Sequence, residues 1–211
     1  MRIQLEDLAV AAFALWLCGC ATSSIKQTWK SPAYHGGQVQ KIAVLAVEQR
    51  SLVREGLENR FVREMRRQGQ EAMATYDLLG LPEIKTDKEA AAARLRAAGA
   101  DAVLVVRMVD QSTYGGEVRA MPALYLPAVP GYGAYGWYDY YSVAFMNMGT
   151  VYGSIDQNIH LDSSLFDLKA SQRLWSVLTL TVLNEDQDRL AAADSLVAKI
   201  VKAMRKDGLA R

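Results

Sequence analysis

The chain has 211 residues, with 24 Lys and Arg against 23 Asp and Glu, two His, two Cys and a formal net charge of +1. That length suits one domain with extras. The near-zero charge removes the electrostatic case for a nucleic-acid binder, and 51% hydrophobic with 22% charged residues excludes a wholly disordered chain. Cys18 and Cys20, two positions apart, build neither a disulfide framework nor a four-ligand zinc site.

The first element in chain order is Leu8 to Leu17, ten apolar residues without a charge. A bilayer core of about 30 Å needs roughly 20 residues of helix, so this run is too short to span. It has the size of the apolar region of a secretory signal peptide, here preceded by Arg2, Glu6 and Asp7. After it, Leu17-Cys18-Gly19-Cys20 resembles the bacterial lipobox: an aliphatic residue, a small residue, Gly or Ala, then the lipid-bearing cysteine. The resemblance implies that residues 1–19 are a lipoprotein signal peptide. It further implies that Cys20 becomes the first mature residue, carrying diacylglycerol through a thioether together with fatty acyl chains such as palmitate. By the same resemblance, Ala21 rather than Asp in the next position implies sorting to the outer membrane of a Gram-negative cell, with the domain facing the periplasm. Each buried CH₂ contributes about 0.8 kcal/mol, so two or three acyl chains hold a protein to a membrane without a spanning helix.

From Thr22 to Gln38 the sequence is polar and broken by Pro32 and Gly36-Gly37. Residues 20–38 are therefore expected to be a lipidated tether ahead of one periplasmic domain over residues 39–211. Lys41 to Val47 is a short apolar run bounded by polar residues, the pattern of a strand covered on both faces. Ser51 to Gln68 reads as an amphipathic helix with Val53, Leu57, Phe61 and Met65 as its apolar stripe. Arg54–Glu58 and Arg60–Glu64 are its i,i+4 ion pairs, each worth about 0.3–0.5 kcal/mol on an exposed face. Gly69 stops this helix, and Gln70 to Tyr76 is a second strand. Thr86 to Glu89 has the form of a capping box, with the Thr hydroxyl taking the third amide. An alanine-rich helix follows from Asp87 to Ala98, ended by Gly99, and Ala102 to Val106 is the third strand. Strand, helix, strand, helix, strand is the order of a parallel α/β core with right-handed crossovers.

Residues 114–142 hold seven of the ten tyrosines, five of the fifteen glycines and three of the five prolines, which argues for a long loop. Val151, Gly153, Ile155, Ile159, Leu161 and Leu165 then alternate with Ser154, Asp156, Asn158, His160, Asp162 and Ser164, as in an antiparallel strand with one wet face. Asp167 to Ser171 turns the chain, and Leu174, Leu178, Leu180 and Val182 return it as the second arm of a hairpin. Asn184 with Gln187 caps a last helix that runs through Leu196, Ile200 and Met204 and closes at Gly208. The expected fold class is α/β, a βαβαβ core followed by a long β-hairpin and a C-terminal helix. All strands share one mixed sheet with helices packed on it.

Few residues suggest chemistry. Gly131 to Gly136 matches G-x-G-x-x-G, but Pro130 precedes it and Trp137-Tyr138-Asp139-Tyr140-Tyr141 follows, so the strand and helix that a dinucleotide site needs are not indicated. No nucleotide, cofactor or metal is expected. There is no G-x-S-x-G elbow, and the mature chain keeps no free thiol as a nucleophile. His35 and His160 read as surface histidines, and Asp156, Asp162 and Asp167 as solvated carboxylates of the hairpin. Arg60, Arg63, Arg66 and Arg67, interrupted by Glu64, read as a solvated helix face. The chain is therefore expected to be no enzyme. The aromatic loop is the one candidate binding feature, through Tyr125, Tyr132, Tyr135, Trp137, Tyr138 and Tyr140, because Tyr and Trp offer rigid contact area with few rotors to freeze. Long loops are either functional or disordered, and both readings stand.

Over most of its mature length the chain resembles a family of uncharacterised bacterial lipoproteins. The residues concerned are Trp29-x-x-Pro32-x-Tyr34, the Lys41–Val47 run, Arg54 and Glu58, Gly69, Gly99-Ala100-Asp101, Leu165-Phe166-Asp167 and Leu174-Trp175-Ser176. More distantly, the element order is similar to periplasmic α/β domains of the kind found in the amino-terminal part of TolB, in LpoB and in CsgG. The resemblance implies an anchored, non-catalytic binding or structural component of the cell envelope, with an envelope protein as partner. The alternative it implies is a subunit of an oligomeric outer-membrane secretion or assembly complex.

Overall fold

The computed structural model describes residues 22–36, 39–80, 84, 87–109, 136–138, 140–141, 158–183 and 188–210. Within them the strands are β1 (Thr22–Lys30), β2 (Lys41–Val47), β3 (Glu71–Ala74), β4 (Ala102–Val109), β5 (Asn158–Asp167) and β6 (Arg173–Val182). They form one sheet in the order β1-β6-β5-β4-β2-β3. The helices are α1 (Ser51–Arg67), α2 (Lys88–Ala97) and α3 (Arg189–Lys206). β2 is parallel to both β3 and β4, and β4, β5, β6 and β1 then alternate antiparallel. This is the α/β class read from the sequence, a βαβαβ core extended by a hairpin and closed by a helix on one mixed sheet.

One sheet neighbour was not expected. The stretch read as a tether supplies β1, which pairs along β6 from Thr22↔Val182 to Lys30↔Trp175, with a bulge between Ile25 and Gln27. Its hold on the sheet is polar and aromatic. Ser23 Oγ and Thr181 Oγ1 share a buried hydrogen bond of 2.9 Å, and the Arg173 guanidinium lies 4.8 Å from the Trp29 ring centre. An edge strand needs only one apolar neighbour and tolerates a bulge, so its sequence lacks the alternation that marks inner strands.

The helices sit as their end signals require, with shifts of residue at the caps. Asp87, not Thr86, caps α2, its carboxylate accepting from Ala90 N–H at 2.9 Å. Asp188, rather than the Asn184 and Gln187 pair, caps α3 by accepting from the Leu190 and Ala191 amides. At the far end of α2, Gly99 takes φ +85° and lets Ala100 N–H reach back to Leu95 O at 3.1 Å. Gln70 closes α1 on Met65 O, and Leu209 closes α3 on Met204 O, by the same six-to-one bond.

The buried face of α1 is Arg54, Glu58, Phe61, Val62 and Met65. Val53 stays 41% exposed and Leu57 half-buried. Phe61 and Met65 keep their expected inward places, but in the first two turns Arg54 and Glu58 take the inward positions in place of Val53 and Leu57.

Two cores result, one on each side of the sheet. Ile42, Val44, Leu104, Val106, Leu165 and Trp175 face α1 and α3, where they meet Phe61, Met65, Val197 and Ile200. Ala43, Leu45, Val103, Val105 and Phe166 face α2, together with Trp137, Tyr140 and Tyr141. Fully burying one such large side chain contributes about 1.5–3 kcal/mol.

Candidate functional site

The second core contains polar residues, and they form the densest chemistry among the described residues. Alternation along β4 puts Arg107 on the same side as Val103 and Val105, and its register partner on β5 is Asp162. Arg107 Nε lies 3.1 Å from Asp162 Oδ2, with both side chains about 5% exposed. Tyr140 completes the group. Its hydroxyl donates a hydrogen bond to the same Oδ2 and accepts from Arg107 Nε at 3.1 Å. Ser164 Oγ donates weakly to Asp162 Oδ1 at 3.4 Å. The Tyr140 ring also receives the Arg107 guanidinium, 5.2 Å from its centre, and packs on Phe166 at 5.3 Å.

This arrangement corrects two expectations. His160, Asp162 and Ser164 do not line a wet face but are buried, at 6%, 3% and 0% exposure. β5 is an inner strand between β4 and β6, and the aromatic segment covers its polar side. The second correction concerns that segment. Trp137, Tyr138, Tyr140 and Tyr141 are helical, and Tyr140 N–H closes on Gly136 O at 3.1 Å. Trp137 is 1% and Tyr140 3% exposed, so these two candidate binding residues are core residues, with Tyr138 partly buried beside them. Gly136 makes the seating possible, since a Cβ there would stand 2.5 Å from Ser171 Oγ and 3.2 Å from Ser171 O. Tyr125, Tyr132 and Tyr135 lie outside the described residues, as do Cys20 and the 151–157 part of the expected strand.

Burial dominates the ionisation of this group. It pushes the Tyr140 hydroxyl well above the ordinary tyrosine range, against the Arg107 charge, which opposes the shift. It likewise raises Tyr141 and lowers His160, the latter assisted by the Lys26 charge. Tyr140 is therefore a fixed donor to a carboxylate. Ser164, Asp162 and His160 are the residue types of a hydrolytic triad, but the carboxylate stands between the other two. His160 is four residues from Ser164, about 13 Å along a strand, and cannot take its proton.

A second buried ion pair ties α1 to the sheet. Glu58 Oε1 accepts from Arg54 Nε at 2.9 Å, Ala46 N at 3.1 Å and Thr75 Oγ1 at 3.1 Å. Its Oε2 accepts from Thr75 N at 2.6 Å and Tyr76 N at 2.9 Å. Arg54 donates onward to Leu79 O at 3.0 Å and to Thr75 Oγ1 at 3.1 Å. The i,i+4 pair read as a surface contact thus anchors the loop that follows β3. The other expected pair does not form. Arg60 and Arg63 instead meet Asp194 of α3, while Glu64 pairs with Arg67, whose hydrogen bonds hold that carboxyl below the usual range.

Sequence reasoning missed Arg107, although one signal was present: a lone arginine on an inward-facing position of an apolar strand must find a buried anion. An open cleft of about 440 Å³ lies among Lys41, Arg66, Gly69, Gln70, Glu71 and Ala72. Its side chains bind the protein's own carbonyls: Lys41 to Ala98 O, Arg66 to Ala72 O and Gln70 to Gln40 O, at 2.8, 3.0 and 2.9 Å. Among the described residues, no His, Cys, Asp and Glu cluster is arranged to hold a metal ion.

No protein-family model matches the chain, and no curated protein matches it in sequence. Its backbone is similar to that of a dodecamer of a PelC point variant from Paraburkholderia phytofirmans, 12% identical, TM-score 0.47, over 85% of this chain and 96% of that one. A second PelC dodecamer structure from the same organism gives 12% identity and a TM-score of 0.44, over 85% and 95%. Lipoprotein GNA1162 from Neisseria meningitidis gives 11% and 0.38, over 80% and 95%. At these values the likeness is one of chain path, and no role is carried across.

Proposed function

We propose that the chain is a lipid-anchored component of the bacterial cell envelope, held to the outer membrane through Cys20 with its folded domain in the periplasm. On this reading it binds envelope proteins and catalyses nothing. The observation that carries it is the run Leu8 to Leu17 followed by Leu17-Cys18-Gly19-Cys20. Among the described residues no helix is long and apolar enough to cross a membrane, and acyl chains supply the attachment. The buried polar groups support a structural reading of the domain, since Asp162 and Tyr140 bond to each other and to Arg107, and Glu58 to Arg54, Thr75 and nearby backbone amides.

Mass spectrometry of the native product tests the anchor. The expected amino-terminal peptide begins at Cys20 and is heavier by its acyl groups, and Cys20→Ala loses that mass. An unmodified Met1 start recovered from the soluble fraction overturns the proposal. The partner-binding part now rests on Tyr125, Tyr132 and Tyr135. Replacing all three with Ala is expected to abolish crosslinks to envelope proteins, and an unchanged crosslinking pattern removes the loop from the reading.

One observation favours the alternative of an oligomeric assembly: β1 and β3 end the sheet, each bonded on one side only among the described residues. Pairing of β1 of one copy with β3 of the next would be head-to-tail and would close into a ring or run open. The mass of the complex in detergent decides between a monomer and such an assembly.

A further inference from the structure

The strand directions gather particular chain ends at one end of the sheet. β2 and β4 finish there, β5 starts, β6 finishes and β1 starts. α1 begins four residues after β2, and α3 begins beyond β6, so both helix starts lie at this end as well. The exposed large hydrophobic side chains of the described residues all belong to it. Leu52 (82% exposed) and Val53 (41%) lie in the first turn of α1, Leu190 (63%) in the first turn of α3, Met108 (41%) and Val182 (39%) at strand ends, and Ile25 (43%) early in β1. The opposite end exposes Glu71, Asp101, Lys169 and Lys206. Scattered exposed apolar residues are ordinary, but their collection at one end marks a contact surface.

The chain also enters the sheet at that end. Thr22 opens β1 opposite Val182, and Cys20 is only two residues upstream. Two residues reach at most about 7 Å. With the expected tether folded into the sheet, no length remains to hold an anchored domain away from its membrane. We propose that this end of the sheet lies flush against the lipid bilayer, with Leu52, Val53 and Leu190 entering the interfacial layer beside the acyl chains of Cys20. The inference rests on the lipid-anchor reading above. Lys26 and Arg189 alternate there with Glu55 and Asp188, so the contact is apolar in origin and not an attraction to anionic headgroups.

The test uses the full lipoprotein reconstituted in phosphatidylethanolamine and phosphatidylglycerol vesicles. Leu52→Cys, Leu190→Cys and, at the far end, Lys169→Cys each carry an environment-sensitive fluorophore. The mass of the amino-terminal peptide, read on the same samples, reports the anchor independently. With the acyl mass present, a blue shift and quenching by lipid-borne spin labels at 52 and 190, but not at 169, is the expected result, unchanged by added salt. Water-like emission at 52 and 190 with the acyl mass present overturns the flush docking and leaves the anchor standing. A blue shift that the lipid quencher does not reach, and that fades as protein is diluted among vesicles, overturns it in favour of a second copy on this surface. Absence of the acyl mass overturns anchor and docking together.

Discussion

Under α1 and α3 the sheet is covered by Phe61, Met65, Val197 and Ile200 packing on Leu104, Leu165 and Trp175, a core built from shape and apolar area. Under α2 and the aromatic helical turn the same strands present Arg107, Asp162 and Ser164, closed over by Trp137 and Tyr140. Both faces are equally dry, but they specify the fold by different means. The apolar face gains by excluding water and accepts many residues of similar volume. The polar face admits one arrangement, because slipping β5 by one residue against β4 would carry Asp162 to the aliphatic side and part it from the buried Arg107.

Removing one key side chain from each face is the largest test. Phe61→Ala and Asp162→Ala are each expected to cost about 3–5 kcal/mol in chemical denaturation, the first through a cavity, the second by removing the buried carboxylate that faces the Arg107 charge. The faces separate on rescue. Replacing Arg107, Asp162 and Tyr140 together with Met, Leu and Phe should be less destabilising than Asp162→Ala alone, since no charge is then abandoned. If the triple variant is the less stable, the polar group contributes net stability and not only register.

A smaller loss is expected from Tyr140→Phe, about 1.5–3 kcal/mol for a hydrogen bond to a charged group, because Asp162 keeps Arg107. The pH dependence follows the same face. The folded values of Tyr140 and Tyr141 are raised, so the unfolded chain releases its protons first. Their contribution is intact below about 10 and falls as pH rises, by about 1.4 kcal/mol per pH unit for each tyrosine. Tyr140→Phe should flatten that alkaline decline in denaturation curves. His160 has the opposite sense. Its folded value is lowered, so stability is full above the unfolded value near 6.5 and falls as pH drops through it. The smallest effect belongs to neither face: Asp188→Ala, which uncaps α3, is expected to cost about 1 kcal/mol by thermal or chemical denaturation.

Some elements were legible because their signals are local. The Lys41–Val47 run, the glycines after each helix and the Asp167 to Ser171 turn act through neighbours in sequence, and the structure places them within a residue or two of expectation. The candidate site was less so. Alternation along 159–165 separated Ile159, Leu161 and Leu165 from His160, Asp162 and Ser164 correctly, but which side was wet depended on what covered it. Arg54 and Glu58 were seen as a pair, yet their burial depends on Ala46, Thr75 and Leu79, none of which helical spacing can indicate.

Sequence alone determined the class, the order of its elements and the glycines that close its helices, since each is written in adjacent residues. Tertiary structure decided that a polar stretch after Cys20 is an edge strand, that two tyrosines and a tryptophan from a glycine-rich segment are core, and that a charged strand face is dry. The reason is common to all three: burial is set by what a segment lies against, and the covering partner comes from a distant part of the chain.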